Sequence, residues 1–559
     1  MECDLLVIGS GAAGLCAAVT AAASGLEVIV AERAPVLGGT TAWSGGWMWL
    51  PGNRLAQDAG IIEPMDAPRR YLQAVIGNRF DTARIDAFLH AAPDMVDFLT
   101  AHGFVFEAGN RICDIYGDQP GAGTGGRSLI AAAFDARPLG KRLSLLRRTK
   151  RETAFIGMPI QAGADLAAFL HVLRRPSAFV HVARRLARHL CDLALHGRAT
   201  HLVNGVALVA RLFAMADARG VRWLTSATAT SLTQRDGVVT GAVVHTAQGP
   251  LSITARRGVV LAAGGFSQNA ALRAQYFPHA ADHASLAVPQ ADGSALALTE
   301  PLGGVIDDTG AAAGAWCPVS HLRWPDGTPG IFPHIIERGK PGLIAVGASG
   351  RRFVNEANGY HDYVTALLAA TPAGQPARSW LICDHRFLRR WGLGMVKPAP
   401  LPFGHWLRSA YLKRAKTVDE LARLCGIDEA LAETVARYNA GASLGKDAEF
   451  GRGWSPYNRY QGDPACAPNP CVRPITKAPF YAVEVTPGSF GSFAGLKTDA
   501  HARALRADGT PIAGLYVAGA DAASIMGGFY PAGGINLGPA MVFGYLAAKH
   551  AASKIPIRP

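Results

Sequence analysis

Asp4-Leu5-Leu6-Val7-Ile8-Gly9-Ser10-Gly11-Ala12-Ala13-Gly14 opens the chain almost at once, after Met1-Glu2-Cys3. The apolar run from Leu5 to Ile8 has the length of a buried parallel strand. An alanine-rich stretch of helical character follows to about Ala23, then a second apolar run, Val28-Ile29-Val30-Ala31, ending at Glu32. Each glycine has a separate task. Gly9 permits the tight turn, Gly11 lets a pyrophosphate approach the backbone, and Gly14 lets helix and strand pack closely. The helix start presents unpaired N–H groups and a positive dipole end to phosphates. Glu32 lies eighteen residues beyond Gly14, where an acidic side chain can accept from a ribose diol. Strand, glycines, helix, strand and acid in this order predict a dinucleotide site.

At 559 residues the chain is too long for one compact core, so two domains are expected. Hydrophobic residues make up 49% and charged residues 17%, the balance of a globular protein with a large interior. No apolar run reaches the roughly 20 residues needed to span a bilayer. The N-terminus lacks a basic stretch and a small-residue cleavage site, so no secretory signal is expected. Nine scattered cysteines without metal-ligand spacing fit free thiols in a reducing cytoplasm, and no metal site is expected. The formal charge of +13 is concentrated: twelve Lys/Arg stand between Arg137 and Arg188 against Glu152 and Asp165. There Phe179, Val180, Ala183, Leu186, Ala187 and Leu190 recur at helical spacing, with Arg184, Arg185 and Arg188 largely off that face. Two readings stand: a surface helical hairpin packing its apolar side on the protein, or a segment at 137–190 resting peripherally on an anionic membrane. Nucleic acid is not an expected partner.

Four further stretches carry the resemblance to a family. Leu37-Gly38-Gly39-Thr40-Thr41-Ala42-Trp43-Ser44-Gly45-Gly46 supplies backbone and hydroxyl donors. Arg257 to Gly265 reads as a strand and glycine turn, and Gly514 to Asp521 as another. Gly533-Gly534-Ile535-Asn536-Leu537-Gly538-Pro539 then opens a helix to about Ala552. Together these resemble the flavoproteins of the fumarate reductase and succinate dehydrogenase superfamily. The resemblance implies FAD held by Gly9, Gly11, Ala12, Ala13, Gly14, Glu32, Arg33, Gly39, Thr40, Thr41, Ser44, Gly45, Gly46, Ala263, Gly264, Gly519, Asp521, Asn536 and Leu537. Asp521 stands where the family pattern usually has asparagine. Covalently flavinylated members carry a histidine in the first loop; none lies between Glu32 and Gly46, so attachment is expected to be non-covalent. The implied fold is α/β: a Rossmann-like FAD-binding domain, 1–285 and 482–559, with a basic helical insertion at about 137–200 and an inserted α+β catalytic domain over 286–481.

Within the superfamily the chain resembles the 3-ketosteroid Δ1-dehydrogenases. Gly350-Arg351-Arg352-Phe353-Val354-Asn355-Glu356 is followed four residues later by Tyr360, where fumarate reductases carry a proton-delivering arginine and the steroid enzymes a tyrosine base. Phe490 and Gly491 replace the paired histidines that meet a dicarboxylate in fumarate reductases. Phe529-Tyr530-Pro531-Ala532-Gly533-Gly534 resembles the signature whose tyrosine hydroxyl and glycine N–H bind a ketone oxygen. Tyr116 precedes a glycine-rich Gly126-Arg127-Ser128 stretch, as an active-site tyrosine does in that family.

The resemblance implies a desaturase for cyclic ketones, with 3-ketosteroids leading. Tyr530 and Gly534 polarise the ketone, Tyr360 takes the α-proton, and Tyr116 is the expected hydrogen-bond partner of Tyr360. Smaller ketones such as cyclohexanone or oxocyclohexane carboxylate, and 3-ketosteroid 4-desaturation, remain as alternatives. A non-catalytic flavin sensor is a remote one. One nucleotide fingerprint, without haem or iron–sulfur spacing, points to a quinone or other diffusible electron acceptor.

Overall fold

The computed structural model describes residues 1–109 and 111–554, so the last five positions of the expected 482–559 segment lie outside it. Two sheets organise the chain. In the first, strands run in the order Arg222–Leu224, Val28–Ala31, Leu5–Ile8, Val259–Leu261 and Pro511–Val517, all parallel, with Arg503–Leu505 antiparallel at the edge. Leu5–Ile8, Val28–Ala31 and Val259–Leu261 are buried throughout, which is why they read as unbroken apolar runs rather than alternating ones. Val260 sits between Val7 and Tyr516, so a strand from mid-chain locks the two ends of the sequence together.

The N-terminal helix, Ala12–Ala23, packs on the last helix, Leu537–Ser553. Contact is close because Gly544 faces the carbonyl of Ala13; a Cβ there would lie 2.4 Å from that oxygen. Arg257 closes the far end of the last helix by donating to the Ala552 carbonyl at 2.8 Å.

The second sheet is built around Phe480–Ser492. Residues 480–485 pair with Ser379–Asp384, which pairs in turn with Leu343–Gly347. The other half pairs with Gly314–Arg323, itself paired with Pro329–Pro333. This strand runs unbroken through 481 and 482, where the chain was expected to cross between domains. Its far end delivers Phe490 to the boundary between the two sheets.

The basic segment contains the helices Ala164–Leu170 and Pro176–His196. The longer one corrects the surface-hairpin expectation, because its apolar side is not the packed side. Phe179 and Leu190 are 58% and 63% exposed, whereas Ala178, Val182, His189 and Asp192 are buried. The cause is polar tethering. Arg185 and His181 bind Asp165 at 2.8 and 2.7 Å, and Asp192 accepts from the N–H and hydroxyl of Thr200. Among the described residues, no helix is long and apolar enough to cross a membrane.

Candidate active site

The crevice above the parallel sheet is made of backbone. Gly9 has φ +104°, and a Cβ there would lie 2.2 Å from the Ala262 carbonyl oxygen. A Cβ on Gly14 would lie 2.0 Å from the carbonyl oxygen of Gly9. These two glycines therefore answer to the protein's own packing. Gly11, Gly39, Gly45, Gly264 and Gly491 behave differently: a Cβ on any of them would meet nothing nearer than 3.6 to 3.9 Å. Gly39 faces Gly11, Gly519 faces Ala13, and Gly9 faces Ala262, so three glycine turns converge on the start of the first helix. Open glycine backbone around a helix N-terminus is what a flat dinucleotide needs for close approach. The residues present fit FAD.

Several side chains expected at the cofactor are also occupied within the protein. Glu32 is buried and accepts from the Ser10 and Ala34 N–H groups at 3.0 and 2.8 Å. Thr41 Oγ1 accepts from Ala12 N–H at 2.9 Å, so one helix-terminal donor is spent internally. Thr40 Oγ1 accepts from Val288 N–H at 3.1 Å. Ser44 accepts from Gly46 N–H at 3.1 Å and donates to the Thr41 carbonyl at 2.8 Å, fixing the loop's exit. Arg33 pairs with Asp292 at the surface.

Asp521 is wholly buried and receives the N–H groups of Ala263 and Gly265. Burial raises its carboxyl to about 6 against the pull of those donors. Both of its oxygens serve the Ala263–Gly265 turn. Asn536 also has a partner within the protein. Its side chain, one position before Leu537 and the last helix, donates to the Tyr530 hydroxyl at 3.1 Å. Ser10 was not anticipated, yet its hydroxyl joins Glu32 to the N–H of Gly38.

A second cluster stands beside this crevice and is made of side chains. Tyr360 and Tyr530 are buried, with ring centroids 4.8 Å apart at 75°. Phe490 meets the Tyr360 ring edge-on at 5.4 Å. Because the Tyr530 oxygen accepts from Asn536, its own O–H is left to donate. Gly534, with φ +102°, is held against Met48 and Trp49, its carbonyl accepting from Trp49 N–H at 3.1 Å. Burial raises both phenols far above the ordinary tyrosine value, and their contact pushes Tyr360 up and Tyr530 down.

Tyr360 is placed by a buried ionic scaffold. Arg352 chelates Glu356 at 2.8 Å through two nitrogens and Asp447 at 2.8 Å through both of its terminal nitrogens, while Arg452 adds 3.1 Å to Glu356. Asn355 donates to Asn458 at 2.9 Å and accepts from Ala357 N–H at 3.0 Å. The Gly350–Glu356 motif therefore builds the support on which the helix Tyr360–Ala370 begins. Tyr360 is its first residue, near the positive end of the helix dipole.

The expected Tyr116–Tyr360 hydrogen bond is not the one formed. Tyr116 donates to Asp362 at 2.7 Å, and its N–H donates to Tyr71, whose hydroxyl binds the Pro531 carbonyl at 2.6 Å. Burial raises Asp362 to about 6, with Tyr116 opposing the shift. Tyr71 and Asp362 carry no motif of their own and were missed, although Asp362 lies two positions inside the helix that Tyr360 starts. His361 was missed too. It is neutral, pulled down to about 3 by burial, and accepts from Trp316 N–H at 3.2 Å beside the Tyr530 ring.

Comparison with known proteins agrees with this arrangement. The FAD binding domain family matches residues 4–537. The 4-oxocyclohex-2-ene-1-carboxylate 5-dehydrogenase of Sinomonas cyclohexanicum is 41% identical, over 99% of this chain and 94% of its own. The 3-oxosteroid 1-dehydrogenase of Mycobacterium tuberculosis is 35% identical, over 99% of both chains. The crystal structure of 3-ketosteroid Δ1-dehydrogenase from Sterolibacterium denitrificans in complex with 1,4-androstadiene-3,17-dione superposes with a TM-score of 0.90 at 33% identity, covering 99% of each chain. With the glycine crevice and the paired tyrosines beside it, these matches identify the chain as an FAD-dependent oxidoreductase acting on CH–CH groups, a member of the 3-ketosteroid Δ1-dehydrogenase family within the fumarate reductase and succinate dehydrogenase flavoprotein superfamily.

Proposed function

We propose that this enzyme introduces the 1(2) double bond into 3-ketosteroids, on a Rossmann-like FAD domain that holds the cofactor without a covalent link. The meeting of Tyr360 and Tyr530 under Phe490 carries the reading. Loss of an α-proton requires that charge be stabilised on the ketone oxygen as it develops. Tyr530 O–H and Gly534 N–H supply two donors for that oxygen. Tyr360 starts its helix, where the positive end of the dipole favours the phenolate. Tyr360 then takes the α-proton. FAD, when bound, supplies the two-electron oxidation by accepting the β-hydrogen as hydride. Tyr116 acts as a positioning residue: its bond to Asp362 ties the glycine-rich loop to the helix that begins with Tyr360.

Phe490 faces the site where a dicarboxylate would need donors, which favours an apolar ketone. Reoxidation is assigned to a quinone or other diffusible acceptor. The exposed Phe179 and Leu190, flanked by arginines, support peripheral contact with an anionic membrane.

The relative at 41% identity favours a second reading, in which the substrate is a smaller oxocyclohexene carboxylate. Anaerobic mixing separates the two. A 3-keto-4-ene steroid is expected to bleach the flavin and yield the 1,4-diene, whereas fumarate leaves the reduced enzyme unoxidised. Bleaching by 4-oxocyclohex-2-ene-1-carboxylate alone would replace the steroid assignment with the second reading.

A further inference from the structure

A cavity of about 820 Å³ opens against Trp43, in the Gly38–Gly46 loop. Its walls come from three parts of the chain: Val36 and Trp43, the basic stretch from Gly140 to Glu152 with Arg198, and the hairpin at Trp324–Pro329. Six Lys/Arg side chains line it against one carboxylate, Glu152. Glu152 lies 3.4 Å from Lys150, and Arg151 pairs with Asp326 at 2.6 Å. Lys141, Arg147, Arg148 and Arg198 have no carboxylate partner among the described residues.

Arg147 and Arg198 are half-buried in the cavity wall, whereas Lys141 and Arg148 are exposed. Arg198 spends its charge on the Leu143 and Leu146 carbonyls at 2.9 and 2.8 Å, and burial together with Arg148 pulls it down to about 10. The Arg147 guanidinium lies 5.4 Å from the centre of the Trp43 ring, with its Nε buried and without a hydrogen-bond partner among the described residues. Like charges focused by low-dielectric walls raise the local potential and attract anions. Guanidinium forks match phosphate oxygens in pairs, and the volume is that of a small organic ligand. Trp43 and Trp324 add flat apolar wall.

We propose that this cavity binds a small phosphate ester, held by Lys141, Arg147 and Arg148. The site communicates with the cofactor loop, because Leu37 N–H donates to Leu145 at 2.7 Å and Arg147 N–H to Leu37 at 3.0 Å. Binding there and FAD retention are therefore thermodynamically linked, each changing the other by the same factor.

The test titrates ADP, and separately pyrophosphate, into FAD-saturated enzyme by calorimetry. One saturable site per chain is expected, weakening as salt rises. Lys141→Glu with Arg148→Glu, both on exposed side chains, should weaken it at least about tenfold while steroid-dependent flavin bleaching stays intact. ADP is expected to bind tighter than pyrophosphate and to slow FAD release. No saturable heat with either probe overturns the proposal, as does binding that ignores the double variant. If phosphatidylserine vesicles bind in a way the double variant abolishes while neither free probe binds, lipid headgroups fill the cavity and the small-ester proposal fails.

Discussion

The glycine crevice and the tyrosine cluster lie side by side and are built by opposite means. The crevice consists of main chain, set by residues that lack a side chain: Gly9 and Gly14 leave no room for a methyl group, while Gly11 and Gly39 leave room for a ligand. The cluster consists of side chains gathered from distant places, Tyr116, Tyr360, Phe490 and Tyr530, and held by buried polar contacts. Damage to the crevice should remove fold or cofactor. Damage to the cluster should remove chemistry and spare both.

The largest effect should come from Gly9→Ala or Gly14→Ala. Each sets a methyl within 2.2 Å of a backbone oxygen, so soluble yellow protein should be lost. Gly11→Ala sharpens the point, because its methyl meets nothing nearer than 3.6 Å within the protein. That variant should fold with an unchanged far-UV spectrum and lose FAD. If it retained FAD at wild-type affinity, the open glycines would not mark the cofactor. In the wild type, acid precipitation should release all flavin from the polypeptide.

Next come Tyr530→Phe and Tyr360→Phe, each lowering single-turnover flavin reduction about 100- to 1000-fold with FAD still bound. The wild-type rate should also climb with pH beyond about 10, the ordinary tyrosine value, because burial raises the phenol that must ionise. A rate that levelled off below neutral pH would exclude Tyr360 as the base.

Tyr116→Phe should cost less, about tenfold, since it removes one hydrogen bond to a buried carboxyl rather than a donor to substrate. Asp362→Asn should restore part of that loss by removing the charge left without its donor. If Tyr116→Phe were as damaging as Tyr360→Phe, Tyr116 would belong in contact with substrate.

Smaller still is a pH effect on stability. Asp362 and Asp521 are both raised by burial to about 6. Their contribution is full below the unfolded carboxyl value of roughly 4 and is lost as pH rises through about 6. The melting temperature should fall across that window, and Asp521→Asn should flatten the slope. Phe179→Ser with Leu190→Ser touches neither region. Turnover in solution should not change, and recovery with anionic vesicles should drop.

Much of the crevice was legible because its parts are local. Strand, turn and helix follow one another from Leu5 to Ala23, and each glycine's task depends on neighbours a few residues away. Tyr530 and Gly534 were singled out by the resemblance of Phe529–Gly534 to a ketosteroid dehydrogenase signature. Other features depended on contacts between residues far apart. Asn536 donates its amide to the Tyr530 hydroxyl, a contact no motif announces. Asp521 closes a turn 256 positions earlier, at Gly265. Tyr116 found Asp362 instead of Tyr360, across 246 positions. The helix at 176–196 showed an apolar stripe, yet Asp165 and Thr200 hold its other face inward. By itself, the sequence determined which turns could bind a dinucleotide, since this follows from residue type and short spacing, while its resemblance to a family singled out the tyrosines. Only the tertiary structure decided how each buried polar group is satisfied, because a hydrogen bond is settled by whichever donor and acceptor the packed chain brings within reach.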